Sequence, residues 1–287
     1  MVRPVQSQIT ARRLTVGAWF DPRRGEEPED AFAILEPHHV VLLGETHNEP
    51  DDHRWQLHTI ETLFGLRPEM VLGFEMFPRR VQPTLDRWSS GELNETTFLD
   101  EVDWPRIWGF DPQLYLPLFH FARNHRLPMV ALNVDRETNR RVAMQGPAVI
   151  PRADREDVGD PAPASPRYRE RLFEWFKHHP AGGDNAAVNS ARFERFVQAQ
   201  QFWDYAMAEA VARVCRDRPR ALAVGIMGRG HIEYGDGVPH QLAAMGIDNI
   251  ATALPWRVDI ACPRPDPPIA DLLFGVAPAA DCERPLQ

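Results

Sequence analysis

The sequence is poor in cysteine, has no long apolar run and carries no excess of positive charge. Its three cysteines, Cys215, Cys262 and Cys282, are widely spaced and odd in number, which argues against both a disulfide framework and a thiolate zinc site. No window approaches the roughly 20 apolar residues that cross a bilayer. Residues 1–10 contain no apolar stretch of signal-peptide type, and no cysteine stands near the N-terminus to carry a lipid. A reduced, cytoplasmic location is therefore expected. The net charge of −9, without any Lys/Arg run interleaved with aromatics, argues against phosphate-backbone binding and so against nucleic acid as a partner.

What is present suffices for a packed core. With 287 residues, 43% of them hydrophobic, the chain can form one large α/β domain or two small ones. Five short apolar runs, residues 39–43, 70–74, 129–132, 221–226 and 249–254, are nearly unbroken by polar side chains. Such runs suit strands covered on both faces, as in a parallel sheet. Residues 51–64 place Leu57, Ile60, Leu63 and Phe64 on one helical side, with Asp51 or Asp52 available as N-cap. Residues 113–124 repeat the pattern with Leu114, Leu118, Phe121 and Ala122. This alternation predicts an α/β fold, a three-layer α/β/α arrangement around a mainly parallel sheet.

Residues 145–166 are rich in Pro, Asp, Arg and Ala without periodicity, and read as a surface excursion or linker. Helical patterns at 168–178 and 191–215 follow. They predict a helical subdomain, about residues 166–216, inserted between the third and fourth strands and lying over the functional edge of the sheet. Residues 263–287 form a Pro-rich tail whose only apolar patch is Ile269, Leu272, Leu273 and Phe274. The whole reads as a single domain with its core at about 38–144 and 219–262.

Three of the expected strands end in groups that carry chemistry. The first runs into Gly44-Glu45-Thr46-His47, the second into Glu75 and the fourth into Gly228-Arg229-Gly230-His231. The carboxyl ends of strands in open α/β sheets face the ligand crevice, so these groups should converge. Two imidazoles and one or two carboxylates suit a divalent ion with positions left open for water or substrate. Such an ion polarises a carbonyl and acidifies its bound water. Gly44 and Gly228 are expected to let the backbone bend and approach a ligand closely. One Gly-x-x-His occurs often by chance; two, each closing a strand, with a lone Glu closing another, form a much narrower signal.

This pattern resembles that of the Tiki superfamily, in particular its ChaN-like haem-binding uptake branch and, more distantly, the erythromycin esterases. Gly44–His47, Glu75 and Gly228–His231 match its two Gly-x-x-His motifs and intervening Glu. His53 with Gln56, Tyr115 with Pro117, the stretch from Phe121 to Asn133, and Trp203-Asp204 with Met207-Ala208 extend the likeness over residues 40–254. The resemblance implies an α/β/α fold and a role in haem or iron handling. It further implies haem held in an apolar cleft, with a homodimer as one way of sharing it. It also implies kinship with hydrolases that use manganese or cobalt. In that alternative, His47, Glu75 and His231 bind Mn, Co, Fe or Zn, Glu45 is the general base, and a peptide or small molecule is the substrate. A metal-free hydrolase with His47 as base or nucleophile is a variant of it. The family's uptake role goes with exported or anchored proteins, a feature not read in this sequence.

Each candidate has a plainer role beside the functional one. Glu45 can orient an imidazole from behind as readily as act on water, and Glu75 can cap a helix. Arg229 suits an anionic group or haem propionate, or pairing with a nearby acid. His53 reads as a ligand-side or capping histidine, and Asn133 as a ligand contact or a strand-end turn residue. If haem iron takes a phenolate, Tyr115 is the expected source; the alternative is a half-buried tyrosine on an amphipathic helix. Trp104, Trp108 and Trp203 line either a pocket for a flat macrocycle or the core.

Overall fold

The structure, a computed structural model, describes residues 14–178, 190–260 and 268–278. Cys262, Cys282 and most of the Pro-rich tail lie outside the described residues. Seven strands form one sheet: β1 (Trp19–Phe20), β2 (Val40–Glu45), β3 (Met70–Pro78), β4 (Met129–Asn133), β5 (Leu222–Gly228), β6 (Ile250–Arg257) and β7 (Leu272–Val276). Their order is β1-β7-β6-β2-β5-β3-β4. All neighbours pair in parallel except β1 with β7. Every residue of the adjacent strands β2, β5 and β3 is buried. This follows from covering both faces of a parallel sheet, which leaves no solvent side for alternating polar residues.

The helices are α1 (Ala31–Leu35), α2 (Pro50–Leu66), α3 (Gln82–Ser90), α4 (Glu95–Val102), α5 (Trp104–Ile107), α6 (Leu116–Asn124), α7 (Arg136–Gln145), α8 (Pro166–His178), α9 (Ala191–Asp217) and α10 (Val238–Ala244). Residues Val41, Leu43, Leu72 and Phe74 point to the face covered by α1–α6. Their neighbours Val40, Leu42, Ala223 and Met227 point to the face covered by α9 and α10. The two-residue period of a strand thus distributes each run between two cores, giving the expected three layers.

Several details depart from the sequence expectation. The N-cap of α2 is Glu49, with Pro50 in the first turn, where its missing N–H costs nothing. Asp52 is thereby freed, and its carboxylate accepts the Thr46 N–H at 2.8 Å, pinning the loop after β2. The stretch at 145–166 is packed: Ile150 and Val158 are buried against Phe202 and Ala206 of α9. Arg79 ties this stretch down by donating to the Glu156 carbonyl at 3.1 Å and the Glu209 carboxylate at 2.8 Å. The helical insertion divides in two. The N-terminal part of α9 forms a satellite core with α8 through Phe193, Val197, Tyr168 and Phe176. Its later residues Met207, Ala208 and Val211 belong to the sheet's own second layer. In the tail, Leu272 and Leu273 form part of β7, adding a strand beside β6.

The larger core is dominated by aromatic packing. Trp88 is fully buried, stacks on Phe98 at 4.4 Å, and donates its indole N–H to the Phe119 carbonyl at 2.8 Å. Trp88→Ala removes the stack and the indole hydrogen bond. Urea unfolding should show a loss of about 3–5 kcal/mol, the range for large aromatic truncations. A loss below about 1 kcal/mol would mean that this contact is not part of the core.

Candidate functional site

The sheet order decides which groups meet. β5 lies between β2 and β3, with Glu45 of β2 registered opposite Gly228 of β5 and Phe74 of β3 opposite Ile226. Glu75 therefore stands one residue short of level with Gly228, and its Oε2 accepts the Gly228 N–H at 2.6 Å. After β5 the chain turns through Arg229–His231, which brings His231 back over the strand ends. Both motifs and the intervening Glu75 are thus brought together.

Two histidine–carboxylate pairs flank Glu75. His47 donates through Nδ1 to Glu45 Oε1 at 2.6 Å. His231 donates through Nδ1 to Asp204 Oδ1 at 2.6 Å, while its Nε2 lies 3.4 Å from Glu75 Oε1. The other Asp204 oxygen accepts the Tyr168 O–H at 2.6 Å. Glu45, Glu75 and Asp204 are all buried, whereas the His47 side chain is 31% exposed.

The glycines provide room instead of a bend. A Cβ on Gly228 would stand 2.8 Å from His47 Cε1, and one on Gly44 would collide with the Leu254 and Ile232 side chains. Neither glycine has positive φ. The motif glycines are required because the two loops pack backbone against side chain.

Burial works against charge here, and the partners decide the outcome at each group. Burial raises the Glu45 carboxyl to about 7, further than the His47 hydrogen bond pulls it down. For His47, burial opposes the imidazolium, but the hydrogen bond and charge of Glu45, helped by Glu75, raise its pKa overall. For Glu75, burial is outweighed by the charge and hydrogen bond of His231, so its pKa falls. Burial likewise disfavours protonated His231, yet Glu75 and Asp204 together push it up to about 10. Both carboxylates thus favour the imidazolium form of His231.

The residues expected to bind a cofactor mostly support this frame. The His47 carbonyl accepts from the Tyr115 O–H at 3.2 Å and from His53 Nε2 at 3.1 Å. Asn133 donates to the Glu75 carbonyl at 3.0 Å. Tyr115 is fully buried, and burial pushes its phenol pKa up, away from a phenolate. Arg229 pairs with Glu233 at 2.5 Å and lies over the Trp256 ring, which is its acid-paired alternative. Among the described residues, no group of three or more His, Cys, Asp or Glu side chains is disposed to hold a metal ion. His231 Nδ1 is held by Asp204, and its Nε2 faces Glu75.

Asp204 and Tyr168 were not singled out as site residues by the sequence. Asp204 lies on the buried stripe of α9 with Val197, Ala208 and Val211. An acid on an otherwise apolar helix face is the signal that points to it, because a buried carboxylate needs a partner.

Beside this cluster opens a cleft of about 1010 Å³. Trp108 and Trp203 line it, and their rings lie 4.7 Å from His47 and 5.0 Å from His231. Trp104 instead belongs to the core, donating to the Phe110 carbonyl. Ile107 and Phe196 add apolar wall, and Asn133 marks the border with the site. Six arginines (Arg80, Arg106, Arg136, Arg140, Arg192 and Arg195) line the cleft against three acids, Asp103, Asp135 and Glu137. Arg80 pairs with Asp135, Arg106 approaches Asp103, and Arg136 donates to the Trp108 carbonyl. Arg140, Arg192 and Arg195 make no ion pair or hydrogen bond among the described residues.

The fold is similar to that of ChaN from Campylobacter jejuni, a structure described as showing cofacial heme binding. The TM-score is 0.70 at 17% identity, over 89% of this chain and 95% of that one. It also resembles an erythromycin esterase mutant, EreC in its open conformation, with a TM-score of 0.49 at 14% identity, over 84% of this chain and 77% of the other. A comparison with curated protein sequences finds no match. No helix of the described residues is long and apolar enough to cross a membrane. The family of haem-binding uptake proteins of the Tiki superfamily, ChaN, matches residues 31–242 in sequence, and the chain belongs to that family.

Proposed function

We propose that this protein binds haem in the cleft walled by Trp108, Trp203 and Phe196. The observation that carries this reading is the joining of a large cleft with aromatic walls to arginines that have no ion-pair or hydrogen-bond partner among the described residues. Pockets for small ligands commonly span about 300–1,000 Å³, so about 1010 Å³ gives room for a macrocycle. Flat aromatic walls suit its faces. Arg140, Arg192 and Arg195 are free to meet its carboxylates, and guanidinium groups bind carboxylates through two parallel hydrogen bonds. Haem supplies iron and a delocalised macrocycle; in this reading it is cargo, and the protein's part is to hold and shield it. The clustered charges at the strand ends fix the wall beside it, because Trp108 and Trp203 rest on the two histidines.

A second reading is favoured by one specific feature. His47 is partly exposed and its Nδ1 is held by Glu45 at 2.6 Å, the relation that orients a general base. In this reading His47 takes a proton from water attacking an ester or amide carbonyl, and no metal takes part.

Haem titration followed by the Soret band should saturate for the native chain. The double change Arg140→Glu and Arg192→Glu should weaken binding at least about tenfold, equivalent to about 1.4 kcal/mol. Unchanged affinity in this variant would remove the cleft as the haem site. For the second reading, p-nitrophenyl acetate hydrolysis by the native chain should fall at least about a hundredfold in His47→Ala, the lower end of general-base contributions. An equal background rate in both would dismiss it.

A further inference from the structure

The haem reading leaves open what the cleft recognises: the iron, or the organic ring that carries it. Side chains that ligate haem iron are His, Cys, Met and Tyr. Among the described residues lining the cleft there is no His, Cys or Tyr, and the two thioethers are poorly placed. Met76 is 2% exposed within the core, and Met144 is 58% exposed on α7.

The neighbouring imidazoles and phenol are committed elsewhere. His47 is not among the residues lining the cleft, and its Nε2 lies 3.3 Å from where a Cβ on Gly228 would stand. Its Nδ1 belongs to Glu45. His231 has carboxylates at both nitrogens. His53 and Tyr115 are buried and both directed at the His47 carbonyl. Against this, the groups that meet a ring and its carboxylates are plentiful: Trp108, Trp203, Phe196, and the unpaired Arg140, Arg192 and Arg195.

We infer that the cleft selects a flat tetrapyrrole by its apolar faces and its carboxylates and not by its metal, so that porphyrins lacking iron are also ligands. This rests on the haem reading of the same cleft and narrows it. A metal-blind cleft gains no affinity from an iron–ligand bond. Small molecules such as imidazole would then be free to bind the iron.

The test uses the full chain and three ligands: ferric haem, iron-free protoporphyrin IX, and the iron-free dimethyl ester, which has the ring without charged carboxylates. Binding is read from quenching of tryptophan fluorescence, with the Arg140→Glu, Arg192→Glu variant as the check that it occurs in the cleft. Iron-free protoporphyrin should bind within about threefold of haem, under 1 kcal/mol apart. The dimethyl ester should bind at least about tenfold more weakly. Imidazole added to the haem complex should shift the Soret band without releasing haem. Haem binding at least about tenfold tighter than the iron-free ring would overturn the inference and leave the haem reading standing. So would release of haem by imidazole. Equal binding of the ester would overturn carboxylate recognition. If none of the three binds, this inference and the haem reading fail together.

Discussion

The structure depends on one constraint: three buried carboxylates at the ends of a parallel sheet must be neutralised without water. Glu45, Glu75 and Asp204 are almost wholly buried. Each is answered by a histidine, and Glu75 in addition by the Gly228 N–H. Removing ions from water costs several kcal/mol each unless geometry and further hydrogen bonds compensate. The compensation recruits distant parts of the chain. Asp204 comes from α9, Tyr168 from α8, and the clamps on the His47 carbonyl from α2 and from Tyr115 beside α6. The insertion after β4 is thereby bonded to the sheet at the place where the cleft opens.

This arrangement explains why the glycines of the two motifs matter. β2 and β5 are neighbours, and the loops that leave them share a space in which even a methyl group on Gly228 would press on His47. The tight packing sets the angle of the His47 ring, which in turn supports Trp108 at the cleft wall. On the other side His231, fixed by Asp204 and Glu75, supports Trp203. The cleft is thus braced by the charge cluster and does not need to draw its own ligand-binding groups from it.

Much of this could be read in the sequence because the central strands are continuous apolar runs with chemistry at their ends. Glu45, His47, Glu75 and His231 converge as the strand-end argument expects. Other features had no such signature. β1 is only two residues long, and the apolar run of β7 sits in a Pro-rich tail that gave it no strand context. The roles of His53, Tyr115 and Asn133 as donors to backbone carbonyls depend on tertiary distances that residue type does not reveal. Arg80, Arg106, Arg136, Arg140, Arg192 and Arg195 come from separate segments, and only folding gathers them. Asp204 was visible in principle, as an acid within an apolar helix stripe.

The account stands on His231 being a cation locked between Asp204 and Glu75, and ¹⁵N NMR of the histidine rings tests this most directly. With its pKa pushed up to about 10, His231 should keep two protonated ring nitrogens from pH 6 through pH 8, the window across which an ordinary histidine of pKa about 6.5 loses its second proton. The excess proton should leave only as the pH approaches 10. A His231 ring with one bare nitrogen at pH 7 would contradict the account, and it would return that nitrogen to the site as a free base or ligand.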